Sequence, residues 1–128
     1  MYKIKKRQSI YEELEIEGNN GEKLNLTVNL TIDDILEQYN TLMRMLGEAQ
    51  IEAQKDPMSE KAQTAVGAVV IALFKLIFGE DGCAKILDFY NERWSEMLED
   101  IAPFISDCVQ PKIKAAMKER ARRFRRMR

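Results

Sequence analysis

AVGAVVIALFKLIF, Ala65–Phe78, is apolar almost all round and carries one charge, Lys75. A helix that is apolar on every face has to be buried on every face. A membrane span takes roughly 20 such residues, and this run is shorter. The stretch therefore predicts a central core helix wrapped by the rest of the chain, with Gly67 allowing a neighbour to pack close. Phe78-Gly79 closes it with a glycine, the residue that ends helices at no steric cost.

Upstream, the pattern changes from helical to alternating. Ile10, Leu14 and Ile16 fall on one face of Ile10–Glu17, and Tyr11, Glu13, Glu15 and Glu17 on the other. Leu24, Leu26, Val28 and Leu30 alternate with Lys23, Asn25, Thr27 and Asn29. Period-2 alternation around GNNG predicts a β-hairpin with one wet face. Both apolar sets sit at even positions, so opposed residues must sum to an even number. A three-residue loop, Asn19-Asn20-Gly21, satisfies this, pairing Ile16 with Leu24 and Leu14 with Leu26. Gly21 then takes the left-handed bulge position.

The first helix is predicted from an N-cap at Thr31 to about Lys55. Ile32, Ile35, Leu36, Tyr39, Leu42, Met43 and Leu46 share a face, and Asp33 and Asp34 suit its positive end. Asp56 is expected to cap the next helix, with Pro57 at its first position. Beyond Gly79, a helix runs from Gly82 to about Tyr90, and another begins near Glu92. Pro103 and Pro111 lie inside the later pattern and are expected to kink or divide it. The fold class is α-rich α+β: an N-terminal hairpin followed by a bundle of four to five helices. Residues 1–111 form the hairpin and helical core. Residues 112–128 form a basic amphipathic C-terminal tail, either part of the same domain or a flexible extension.

The 128 residues suit a single domain, and 45% apolar with 32% charged is ordinary for a globular protein. The net charge of −1 conceals a strong polarity. Lys112–Arg128 holds three Lys and six Arg against one Glu, a charge of +8, so the other 111 residues carry −9. Such asymmetry points to a charged partner. Cys83 and Cys108 have no CxxC spacing and are expected to be reduced, structural thiols of a cytosolic protein. The N-terminal basic cluster is followed by no apolar segment of signal-peptide type.

Chemistry finds little support. The chain has no histidine, which removes the commonest general base and metal ligand at neutral pH. FGEDG is too short for a phosphate loop and lacks the following Lys-Ser/Thr. The carboxylates fall at helix starts and on solvated faces. No enzymatic activity, cofactor or metal is expected. The strongest functional signal is RARRFRRMR, Arg120–Arg128, six arginines with Phe124 among them. Its possible partners are nucleic acid, an anionic membrane surface or an acidic protein, and a merely solubilising helix end accounts for it equally. The acidic body argues against phosphates, and the thin apolar stripe against membranes.

The second half resembles a known family. LFKLIFGEDGCAKIL, Leu73–Leu87, and FYNERWSEMLEDIAPFISDCVQPKIKAAMKERARRF, Phe89–Phe124, are similar to the tail assembly chaperones of long-tailed phages and prophages of Gram-positive bacteria. The apolar helix, the Phe-Gly step, the Asn91 region, Pro103-Phe104 and Pro111-Lys112-Ile113 match in order, while the first half matches loosely. The resemblance implies a protein that binds the tape-measure protein and keeps it soluble while the tail tube polymerises around it. Its place would be the host bacterial cytoplasm, and it would be absent from the mature virion. The partners implied are the tape-measure protein and then the tail tube protein, with self-association left open. Ile113, Met117, Ala121 and Phe124 are the expected apolar contacts, and Arg120, Arg122, Arg123, Arg125 and Arg126 the charges that steer encounter. The alternative is a small nucleic-acid-binding or regulatory protein that uses the tail as a phosphate-binding arm.

Overall fold

A computed structural model describes residues 1–5 and 9–127; Lys6, Arg7, Gln8 and Arg128 lie outside the described residues. An antiparallel hairpin of β1 (Ile10–Glu17) and β2 (Lys23–Leu30) leads into the helices. Its register pairs Ile16 with Leu24, Leu14 with Leu26 and Ile10 with Leu30, as the even-number argument requires. The Gly18 N–H donates to the Glu22 carbonyl at 2.7 Å, leaving a three-residue loop in which Gly21 has φ 83°. Lys23 pairs diagonally with Glu15 at 3.5 Å across the wet face.

Helix α1 (Ile32–Lys55) buries Ile35, Tyr39 and Leu46. Thr31 precedes it, but its hydroxyl donates to the Asp34 carboxylate at 2.6 Å and does not cap a backbone N–H. Helix α2 (Glu60–Phe89) is capped by Ser59, whose hydroxyl accepts from the Ala62 N–H at 3.2 Å. The cap is therefore not Asp56: Pro57 and Met58 form a turn in which the Ser59 N–H donates to the Asp56 carbonyl at 3.1 Å.

Gly79 interrupts α2 with φ 80° and ψ 169°, a region that only glycine occupies without strain. The chain bends there and resumes as a helix. The second arm ends in a Schellman motif, with Glu92 N–H on the Leu87 carbonyl and Asn91 N–H on that of Asp88. Asn91 and Glu92 both have positive φ. By length and composition alone α2 is apolar enough to cross a membrane, but 44% of its most apolar stretch is buried inside the protein. Val70, Phe74 and Ile77 are fully enclosed, and the Trp94 indole lies so close over Gly67 that a Cβ there would sit 2.9 Å from it. Burial is not complete on every side, since Ala65, Ala68 and Lys75 are exposed.

The prolines do not divide the chain. α3 (Trp94–Phe104), a π-helical turn (Ile105–Val109) and α4 (Gln110–Arg126) follow one another without a break. The helices described therefore number three, not four to five: α1, the bent α2, and this continuous third body. Pro103 is exposed, so the carbonyl one turn back loses its donor on a solvated face. Before Pro111, the Gln110 N–H reaches back five residues to the Ile105 carbonyl. That wider turn accommodates a ring that would otherwise crowd the preceding turn.

The core is one cluster. The apolar face of the hairpin lies on α2 and on the π turn, and α1 closes the other side of α2. Cys83 is buried within it, its thiol 3.7 Å from the Ile71 carbonyl, and burial pushes its pKa up. That holds it in the unreactive thiol form. Cys108 is half-buried, and both are free. The Tyr90 hydroxyl donates to Asp100 at 2.9 Å, tying the end of α2 to α3.

Candidate partner-binding surface

α4 is where the sequence places the functional residues, and the structure divides them. The helix forms because Ile113, Ala116 and Met117 repeat at helical spacing, and that stripe meets the core. Ile113 is 0% exposed, and Ala116 and Met117 pack against the buried cluster. Ile113 is therefore a core residue in this fold and not a surface contact, and Met117 is half-enclosed beside it. No break in helix or packing occurs at Pro111, so the body extends at least to Met117.

A polar tie fixes the same half. Lys112 Nζ lies 2.6 Å from Glu12 Oε1 and donates to the Tyr11 carbonyl at 3.1 Å. Glu12 sits opposite Val28, on the face of β1 turned to the helices. A carboxylate there needs a cation, and Lys112 supplies it at the point where α4 passes the strand. Further along, Arg120 Nε lies 3.4 Å from Asp33 at the start of α1. Asp33 thus answers a tail arginine as well as the helix dipole.

Beyond Arg120 most side chains are open to solvent, though Arg123 keeps only 25% of its side-chain surface. Ala121, Arg122, Phe124, Arg125 and Arg126 are exposed, and Phe124 retains 56% of its surface. The Arg120 guanidinium stacks over the Phe124 ring at 5.2 Å from its centroid. Glu119 takes Arg122 at 3.2 Å and Arg123 at 3.9 Å. Arg125 and Arg126 have no acidic partner among the described residues. The open end is thus an aromatic ring between cations, continued by exposed Met127, while Arg128 lies outside the described residues. Of the nine candidate residues, the structure brings five together on this open surface.

Sequence reasoning missed the Glu12–Lys112 tie. Its signal was the acid at an even position of β1, the one break in an otherwise apolar face. Among the described residues no group of three or more acidic or cysteine side chains is placed to hold a metal ion. Neither family models, characterised proteins nor solved structures give a match to this chain.

Proposed function

We propose that the protein is a tail assembly chaperone that binds a tape-measure protein and keeps it soluble while the tail tube assembles. It acts by binding alone, in the host bacterial cytoplasm, and does not remain in the finished virion. The observation that supports this reading best is the open end of α4. Phe124 is exposed among arginines, on a helix whose first half is anchored in the core. Such an end can lie along an amphipathic helix that carries acidic residues beside its apolar stripe. A tape-measure chain is long, helical and rich in such stripes, and uncovered it would aggregate. The acidic body behind the arginines disfavours nucleic acid and anionic membranes as partners.

The test is deletion of residues 121–128, which keeps Ile113, Met117 and the Arg120–Asp33 pair. The shortened chain is expected to fold and to lose most of its ability to keep a co-expressed tape-measure protein of the same phage or prophage soluble. Equal protection by the shortened chain would defeat the proposal. Binding to duplex DNA with a log–log salt slope steeper than about −2 would instead assign the tail to phosphates, since each phosphate neutralised contributes about −0.9.

A further inference from the structure

The segment Met1–Lys5 lies off the body. Tyr2 is 89% exposed and Ile4 86%, so neither apolar side chain is covered by the described residues. The segment alternates: Tyr2 and Ile4 are apolar, and Lys3 and Lys5 are basic. That is the pattern of a strand with one apolar and one wet face.

The hairpin offers a place for such a strand. It is a two-stranded sheet, so each strand has an open edge. Gly18 and Glu22 form a hydrogen-bonded pair, and bonded pairs alternate along an antiparallel ladder. The even residues of β1 therefore bond to β2, and the N–H and C=O groups of Tyr11, Glu13, Glu15 and Glu17 point outward. The Tyr11 carbonyl confirms that direction, because it accepts from Lys112 beyond the edge. No backbone partner occupies the outward groups of Glu13 and Glu15 among the described residues.

Charge selects between the two edges. The wet face beside the β1 edge carries Glu13, Glu15 and Glu17, whereas β2 presents Lys23, Asn25, Thr27 and Asn29. A strand added to β1 with Lys3 and Lys5 on the wet face sets cations against carboxylates, a favourable cross-strand pairing. The same placement turns Tyr2 and Ile4 to the face that the helices cover. On β2 the lysines would meet amides and another lysine.

We propose that Met1–Lys5 adds as a third strand to the β1 edge of a second copy of this chain, each copy lending its arm to the other. Reciprocal exchange closes as a two-fold dimer and leaves no open β1 edge.

Sedimentation over a range of micromolar concentrations tests this on the full chain. The native protein is expected to be a dimer, and deletion of residues 1–5 to weaken association at least tenfold. Lys3→Glu with Lys5→Glu, and separately Glu13→Lys with Glu15→Lys, should each give monomers. All four positions are exposed, so both variants should fold. An equimolar mixture of the two should recover a one-to-one dimer, because each arm then meets an edge of opposite charge. A native protein that stays monomeric, association that survives loss of the arm, or a mixture that fails to recover the dimer would each overturn the proposal.

Discussion

The two halves of α4 are both basic and have opposite situations. Gln110–Met117 carries two lysines and is held in the core by Ile113, by Met117 and by the Lys112–Glu12 tie. Lys118–Arg126 is more basic still, and beyond Arg120 every described residue but Arg123 is exposed. The presence of positive charge therefore does not by itself mark where the domain ends. One fully enclosed isoleucine between two lysines does, because a lysine stem lies along a surface while its ammonium stays in water. A positive helix can be half core and half open surface.

The largest test of this difference is removal of its inner half. Deleting residues 112–128 takes away Ile113, the Met117 packing and both polar ties at once. Ile113→Ala alone should cost about 2–5 kcal/mol, the range for a large aliphatic side chain replaced in a core. Domains of this size hold about 5–15 kcal/mol in all, so the long deletion is expected to unfold the chain while deletion of 121–128 is not. Denaturant unfolding of the three proteins checks this. A cooperative transition of native midpoint for the 112–128 deletion would mean that the inner half is as dispensable as the outer.

A smaller effect is expected at the tie. Glu12 and Lys112 are partly solvated, so their pairing is screened. Lys112→Met should cost about 1–2 kcal/mol, because it leaves Glu12 facing the helices without its cation. A double-mutant cycle with Glu12→Leu should recover about 1 kcal/mol of coupling, since an apolar pair also suits that face. Coupling indistinguishable from zero would show that Ile113 alone anchors the helix.

These features differ in how far they could be read beforehand. The hairpin register followed from the parity of its apolar positions, and the glycine after the apolar run located the interruption at Gly79, read as a helix end where the structure has a bend within α2. Both are local patterns. The Glu12–Lys112 pair joins β1 to α4, distant in the chain, and no period in either segment points to the other. Glu12 itself interrupts the alternation of β1, and that interruption is what a long-range partner leaves behind. The prolines misled for a physical reason: Pro103 faces water, and a π turn precedes Pro111, so neither has to break the helix. Ser59 displaced Asp56 as the cap because the Asp56–Ser59 turn delays the helix to Glu60. On α4 the apolar stripe was visible from Ile113 to Phe124, but the place where it leaves the core depends on the Arg120–Asp33 contact.

The smallest change in stability is expected at Phe124, and there the two halves should separate most cleanly. Phe124 is more than half exposed, and its stacking with Arg120 is worth about 0.5–1 kcal/mol at such a site. Phe124→Ser should therefore leave the unfolding midpoint almost unchanged, while Ile113→Ala shifts it strongly. Its effect should appear in binding. Loss of a central aromatic contact raises dissociation, whereas Arg125→Gln with Arg126→Gln should slow association and flatten its dependence on salt. Surface-captured protein with a tape-measure segment in flow separates the two rates. Should Phe124→Ser destabilise the fold as Ile113→Ala does, the outer half belongs to the body as well. Should it alter neither stability nor dissociation, the aromatic ring has no partner there, and the arginines alone would have to account for any binding at that end.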